Sequence, residues 1–598
     1  MTLPKFRFTR LFLSLTKLKR LLILQFTLLT LINLFSAPAF DEWGHLPSGL
    51  YHIQFSDYRP YQVNPPLIRL IAAFPAWLAG GGFDYVQPIV NWEVRSEWRL
   101  AEDFFQEHGL NSLFYFWIGR EVLLFFPLFG TYLIHSIARQ YLGVAGARIA
   151  ICLWVFSPLV LAFGSLLVPD IPATVLGLWA VDRFVRWLKE ASANNISMAA
   201  VATGLAMLSK STWVILPVAF LLIAGIDRWR SKSWHAWKRD GQHLFSAAVI
   251  TWFVIHAGYE FQGVLQPLGQ FEFHSEALAG NRAEQGQSPG AQNSAPQSNT
   301  GNRFRGSVLG WIPSPLPASY LKGIDLQKLD FEAGFDSYLF GVRQNGGWWY
   351  YYLVGLFLKQ SIFLWIMLPI AFFSALRRWR RNQRRSDFYW LALIGVPGCL
   401  VLILVSSQTG FNHHLRYVFA FLPILFLFCA QAGRGPYRQF GMTLAVMYAA
   451  SGLASMPRPY AFFNATTGGS IHGWKYMDNS NLDWGQDWFT AVWWLQQNPE
   501  KKPVYVLYSI PPARLEGLPY PVIDGKKHLR KLNDARWVPS EGGYWLVFVQ
   551  YLTMPEGEWF RGRVESAILS PSIRLYVVEQ DDIPATDEAS KIDRPGPS

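Results

Sequence analysis

"LLILQFTLLTLINLFSAPAFDEWGH", residues 21–45, sets a long uncharged apolar run directly before an acidic pair, and its reading decides the fold. Two readings compete. A basic stretch from Lys5 to Arg20 before the run and "SAPAF" after it resemble a secretory signal with a small-residue cleavage site. Against this, the run is long for the apolar part of a signal, and the residues just beyond it carry chemistry. The stretch is therefore read as an uncleaved first transmembrane helix that delivers Asp41 and Glu42 to the far water interface.

Further along, the same pattern repeats. The chain has 598 residues, of which 51% are hydrophobic and 16% charged, with a mean hydropathy of +0.15. A soluble chain carries about 25% charged residues. Apolar runs of roughly 20 residues, the length that spans a bilayer, recur to about residue 456. The fold class is a polytopic α-helical membrane protein. About eleven segments are predicted, near 21–39, 119–138, 147–167, 171–188, 198–209, 211–226, 244–260, 350–373, 388–406, 417–433 and 440–456. The fifth and sixth are short, and a re-entrant or broken pair around "LSKSTW" is one reading.

The net charge of +12 raises the question of nucleic acid. The excess sits between apolar runs, at Lys5 to Arg20, Arg228 to Arg239 and Arg377 to Arg385, while the tail from Pro457 is nearly neutral. This is the positive-inside pattern, not a nucleic-acid footprint. It predicts a multi-pass protein of the cell (inner) membrane with a cytoplasmic N-terminus. An odd number of spans then puts the C-terminal region outside. The three cysteines, Cys152, Cys399 and Cys429, all lie in apolar runs and supply neither a disulfide framework nor a zinc spacing.

The chain divides into two domains. Residues 1–456 form the membrane domain, with outer segments at 40–118 and 261–349, and residues 457–598 form an extracytoplasmic domain. Within the first outer segment, the Pro-initiated apolar stretch 65–79 is expected to be a helix along the interface. Residues 281–302 are low-complexity and expected to be disordered. In the tail, "KPVYVLYSI", "GYWLVFVQ" and "SIRLYVVEQ" read as strands and "DWFTAVWWLQQNP" as a helix, giving a small α/β domain.

Carboxylates and cations gather at the expected outer face. Asp41 and Glu42 would be ordinary solvated acids in a random loop. Asp170, in "GSLLVPDIPA", starts another membrane helix, and acids at such positions are costly unless they face a cavity. The extended "YQVNPPLIRL", with Asn64 and Arg69, lies between them in sequence. The cations are Lys210, Arg120, Lys359 and Arg416. Snorkelling to headgroups accounts equally well for Arg120 and Lys359, and less well for Lys210 and Arg416, which have polar neighbours. Such a cavity suits transfer from a phosphate leaving group to a hydroxyl, with a carboxylate as base and cations on the departing charge. His45 and His52 near Asp41 are read as structural first, with acid–base or metal roles second. His413 and His414, being adjacent, do not share a metal by helical geometry. No metal motif, phosphate-binding glycine loop or nucleophile elbow occurs.

The acidic pair, "NPPL", "PDIPATVLGLWA" and "GLAMLSKSTWVILP", followed by "PSPLPASYLKGIDL", "YLFGVRQNGGWWYYYLVGLFLKQS", "NHHLRYVFAFLP" and "RPYAFFNATTGGSIHGWKYMDNSNLDWGQDW", resemble the polyprenyl-phosphate-dependent glycosyltransferases of the C-type superfamily. Within it they are most similar to the protein O-mannosyltransferase and lipid A aminoarabinose transferase group, in a bacterial branch. The resemblance covers residues 20 to about 497. It implies a polyprenyl-phosphate-linked sugar as donor, a protein, lipid or glycan acceptor from outside, and inversion at the anomeric carbon. It implies Asp41 as general base, Glu42 and Asp170 shaping the site or positioning the acceptor, and Lys210 and Arg416 on the phosphate, with Arg120 and Lys359 as further candidates. His45, Asn64, Arg69 and Asp483 are candidates for the substrate cavity. Two departures stand out: relatives commonly have His or Lys where this chain has Asn64, and Lys-Thr-Pro where it has Lys359-Gln360-Ser361. No cofactor is implied with certainty, and a divalent metal is open but not indicated. Membrane lipids are expected partners. The rivals from other classes are a lipid-linked sugar transporter or flippase, which would favour midplane charges, and a nonenzymatic envelope scaffold. "DNSNLDWGQD" (478–487) has two compatible readings: a helix N-terminus, with Asp483 and Asp487 satisfying free N–H groups, or a roof over the acceptor cavity.

Overall fold

The structure is a computed structural model and describes residues 5–84, 96–231, 237–280, 300–381, 385–508, 522–532 and 536–584. Most of the low-complexity stretch at 281–302 lies outside these residues.

Among the described residues, six helical runs are long and apolar enough to cross a membrane: Leu18–Phe35, Glu97–Val155, Ser211–Arg230, Ile362–Arg380, Ser386–Ser407 and Leu415–Gly433. The other helices of the bundle, among them Asp170–Lys189, Ala193–Ser209, Trp237–Ala257 and Arg438–Ala454, are shorter or more polar. Together they form a multi-helical membrane protein with a mixed β-sheet domain at the C-terminal end.

The breaks correct the predicted spans. The first helix ends at Phe35, not 39. The span expected at 119–138 is divided between Ser112–Leu123 and Phe125–Val155, and the second of these turns at Gly143, whose φ of 78° favours glycine. The span expected at 350–373 is also two helices, Tyr351–Lys359 and Ile362–Arg380. Here the reason is chemical. Asn464 caps the broken end: its side-chain amide donates to the carbonyls of Phe357 (2.6 Å) and Gln360 (3.0 Å), and its backbone N–H donates to Leu358 (2.9 Å). Those carbonyls would otherwise be unsatisfied at a helix terminus. At "LSKSTW" the chain breaks at Lys210, which is extended, and Ser211–Ile215 forms a 3-10 turn before the helix Leu216–Ser231. Counted with that turn, the sixth segment is long enough to span by itself.

The described part of the outer segment expected at 40–118 is largely helical. Phe40–Phe55, Leu67–Leu78 and Glu97–His108 pack on one another and on Ser112–Leu123. Asp41 and Glu42 thus sit in the first turn of a helix and not in a loop. Leu67–Leu78 is the helix expected at 65–79.

The expected helix of the tail is Trp488–Gln497. Among the described residues, five strands form its sheet in the order Ile523–Asp524, Val504–Leu507, Gly543–Phe548, Ile573–Val578, Ala567–Ser570. The first two pairings are parallel and the last two antiparallel. Buried Val504, Val506, Leu546 and Phe548 pack against Trp488, Ala491 and Leu495 of the helix. Alternation along these strands therefore puts one sheet face on the helix.

Candidate active site

A cavity of about 780 Å³ lies where the helix starts at Phe40 and Asp170, the break at Lys210, the 3-10 turn Leu415–Phe421 and the "DNSNLDWGQD" segment converge. Four of the residues that line it form a continuous chain of alternating charge. Arg416 Nη2 donates to Asp41 Oδ2 at 2.7 Å, Arg416 Nη1 lies 3.6 Å from Asp170 Oδ2, and Lys210 Nζ donates to Asp170 Oδ1 at 2.6 Å. Residues 41 and 416 are 375 positions apart in sequence. The other oxygen of Asp41 has no hydrogen-bond partner among the described residues.

Aromatic faces hold the cations. The Arg416 guanidinium lies 4.1 Å from the Trp484 ring centroid, and Lys210 Nζ lies 5.4 Å from that of Tyr417. A cation over a ring face is held electrostatically without losing its charge. His45 also lines the cavity, its Nε2 3.2 Å from the Tyr61 hydroxyl. Burial, reinforced by the cations Arg69, Arg416 and Lys210, pushes its pKa well down, so it is a neutral imidazole at neutral pH. Asn64 and Asp483 complete the predicted residues on the wall.

Four predicted residues are elsewhere. Glu42 and Arg120 are buried together behind the wall. Arg120 donates to both carboxylate oxygens and also to the carbonyls of Ser36 (2.8 Å) and Ala37 (3.0 Å). Glu42 further accepts from the N–H groups of Ala39 and Leu167, each at 2.6 Å. This sets aside the alternatives that Glu42 positions the acceptor and that Arg120 meets a phosphate, and leaves Glu42 shaping the site from behind its wall. Lys359 is likewise removed from the cavity: its ammonium donates to the carbonyls of Tyr460 (2.7 Å) and Asn481 (2.5 Å) beside the Phe463 ring. Arg69 donates to the carbonyls of Tyr61 and Asn64 and stacks on Tyr61, so it shapes the wall from behind. Neither Lys359 nor Arg120 snorkels; each is internal.

Part of the "DNSNLDWGQD" segment borders the cavity. Asn479, Asp483, Trp484 and Gly485 line the cavity. Its backbone also pairs with the chain leading to Asp41: Phe40 N–H donates to Trp484 O and Ala37 N–H to Gln486 O, both at 2.9 Å. Neither acid caps the helix that starts at Trp488, contrary to the helix-N-terminus expectation. Asp483 accepts from the Gly485 N–H at 3.0 Å, but Asp487 makes no cap and instead accepts from Ser570 of the sheet domain at 2.7 Å, with Arg458 at 3.4 Å.

Wall residues that the sequence did not single out include Tyr61, Trp98, Gln327, Asp330, Tyr417 and Trp484. Trp484 lies within "DNSNLDWGQD" and Tyr417 beside Arg416, so a search for aromatic partners of buried cations would have found both. Gln327 and Asp330 lie on the helix Ala318–Ala333. That helix reaches the site because Gly323 lets it approach the Gln62 carbonyl, where a Cβ would fall 2.0 Å away. Nothing in its sequence marks this.

Among the described residues, no group of three or more His, Cys, Asp or Glu could hold a metal ion.

Burial raises the Asp483 pKa to about 8, with Asp487 adding to the effect and the Gly485 N–H opposing it. The folded protein then binds more protons than the unfolded chain between the ordinary carboxylate range and pH 8. Stability contributed by this group is therefore full at low pH and falls as pH rises to about 8. Asp483→Asn should flatten that part of the pH–stability curve, read by thermal unfolding of the detergent-solubilised protein. An identical curve in the variant would reassign the proton.

Residues 117–258 match the family of dolichyl-phosphate-mannose-protein mannosyltransferases. This match, over about a quarter of the chain, agrees with the resemblance seen in the sequence. The matched stretch contains Asp170 and Lys210 but ends before Arg416 and begins after Asp41. Among solved structures, ArnT from Cupriavidus metallidurans in the apo state aligns at a TM-score of 0.45 with 11% identity, over 94% of this chain and 98% of that one. The same protein bound to undecaprenyl phosphate gives 0.45 and 12%, over 95% and 97%. An oligosaccharyltransferase from Archaeoglobus fulgidus, in complex with Zn and sulfate, gives 0.40 and 14%, over 84% and 62%. No curated protein matches.

Proposed function

We propose that this mannosyltransferase-like protein moves a sugar from a polyprenyl phosphate to a hydroxyl of a protein, lipid or glycan at the outer face of the membrane, inverting the anomeric centre. The alternating chain Asp41–Arg416–Asp170–Lys210 on one cavity wall carries this reading. Without donor, cations and carboxylates neutralise one another. An arriving phosphate competes for Arg416 and Lys210 and frees Asp41. The acceptor hydroxyl then loses its proton to Asp41 as its oxygen attacks the anomeric carbon. The carbon–oxygen bond to phosphate breaks, and the polyprenyl phosphate leaves with the bonding electrons, its charge met by the two cations. A single displacement from the face opposite the phosphate inverts the carbon.

Arg416→Ala and Lys210→Ala should weaken binding of undecaprenyl phosphate, used as probe, while the protein still inserts in the membrane and elutes as a single species. Lys210→Gln keeps a hydrogen-bond donor for Asp170 and isolates the loss of charge. Unchanged binding in all three would remove the phosphate from this wall.

The topology proposed with this reading puts the site and the sheet domain outside. In a background with the native cysteines replaced, Gly290→Cys and Tyr520→Cys should react with an impermeant thiol reagent in cells whose outer membrane, if there is one, is permeabilised. Asn382→Cys should not. Labelling at residue 382 alone would invert the orientation.

A further inference from the structure

From Gly306 to Leu321 the chain reads "GSVLGWIPSPLPASYL", sixteen residues without a charge, between Arg303 and Arg305 on one side and Lys322 on the other. Within a water-facing segment such a run needs a core to bury it. The structure supplies none for its first part. Val308–Trp311 is a single 3-10 turn in which Val308 is 84% and Trp311 83% exposed, and the adjoining Leu309 and Ile312 are exposed as well.

The turn is nevertheless firmly held. Leu268 N–H donates to Ile312 O at 3.0 Å, Pro267 pairs with Pro313, and the Asn302 amide donates to the carbonyls of Leu268 (2.7 Å) and Phe271 (2.8 Å). An apolar tip on a fixed base is presented to something. Its position shows to what. The base continues the helix Trp237–Ala257, whose exposed Phe245, Val249 and Phe253 succeed one another at four-residue spacing along one face. That stripe runs on past the helix end, where Phe253 meets exposed Phe261 with ring centroids 5.5 Å apart, and exposed Leu265 precedes the Pro267 pairing.

We propose that Val308–Ile312 is a membrane anchor that inserts Trp311 and its apolar neighbours into the headgroup–acyl boundary of the leaflet next to the cavity. Tryptophan suits that depth because its ring is apolar and its N–H polar. The flanking Arg303 and Lys322 supply cations for lipid phosphates, while Arg305 is paired with Glu272. Shortly beyond Ile312 the helix Ala318–Ala333 begins, which brings Gln327 and Asp330 to the cavity wall. The anchor therefore fixes the height of that wall relative to the lipid surface. The proposal does not depend on the reaction assigned to the cavity.

The test places an environment-sensitive fluorophore on Trp311→Cys, and separately on Val308→Cys, in the full chain with native cysteines replaced, reconstituted in phosphatidylcholine/phosphatidylglycerol vesicles. Lys527→Cys, exposed in the sheet domain, is the aqueous reference. The expected result is a blue-shifted emission at 311 and 308, lost on adding lipids spin-labelled near the headgroup and insensitive to iodide, with the reverse at 527. Iodide quenching at 311 and 308 would overturn the anchor. So would protection from both quenchers, which would mean that protein, including a second copy, covers the turn.

Discussion

Asp41→Asn is expected to lower sugar transfer by at least about a hundredfold, the lower end of what a positioned general base contributes. The amide keeps the size of the carboxylate and can still face Arg416, but it cannot take a proton from an alcohol. Asp41 is placed for that role because Arg416 occupies only one of its oxygens, at 2.7 Å, and the residue lines the cavity. Binding of undecaprenyl phosphate should survive, since the cations on the wall remain. It should even tighten, because Arg416 loses one of its two carboxylate competitors. Asp170→Asn should behave differently. It removes the counter-charge of Lys210, held at 2.6 Å, and so should disturb the geometry of both cations and lower binding and transfer together. The measurement is turnover of a lipid-phosphate sugar by purified protein, beside probe binding and thermal unfolding. A folded Asp41→Asn protein with normal turnover would leave Asp170 as the base.

The contrast between Asp41 and Glu42 shows what sequence can and cannot reveal. Both are acids at the end of an apolar run, and nothing local separates them. A helix begins at Phe40, and successive residues on it point about 100° apart. Asp41 therefore faces the cavity while Glu42 faces the bundle. Deciding which is which requires the partner of each face, and these partners, Arg416 and Arg120, are hundreds and tens of residues away. The same limit applies to the cations. Each of the four was visible as a charge in apolar surroundings. Only two could be on the wall, because the carbonyls that satisfy Lys359 come from Tyr460 and Asn481, in a segment whose path sequence does not fix. The spans were legible from hydropathy, but their breaks were not. The break at Gln360 depends on a side chain, Asn464, that caps it from across the fold.

Arg120→Met should be the most destabilising of the substitutions considered, at about 3–5 kcal/mol, the range for leaving one partner of a buried ion pair uncompensated. Both side chains are fully enclosed, at 2% and 0% exposure, so no solvent screens the stranded Glu42 charge. More than the pair is lost. Arg120 also donates to Ser36 and Ala37, and Glu42 accepts from Ala39 and Leu167. These backbone groups belong to the link between the first helix and the helix bearing Asp41, and to the approach to Asp170. Glu42→Gln should cost less, because the amide oxygen can still accept from a backbone N–H and from Arg120, although the guanidinium then lacks a counter-charge. The double variant Glu42→Gln/Arg120→Met should recover part of the Arg120→Met loss, since no buried charge remains. Thermal unfolding in detergent gives the order: Arg120→Met lowest, the double variant above it. The link explains why transfer should fall even in variants that stay folded at low temperature. Residues 37 and 40 pair with residues 486 and 484, so slackening at Ser36 and Ala37 moves Asp41 and the Trp484 ring under Arg416 together. If Arg120→Met unfolded at the parent temperature, the pair would be dispensable and Glu42 would return as a candidate for the cavity.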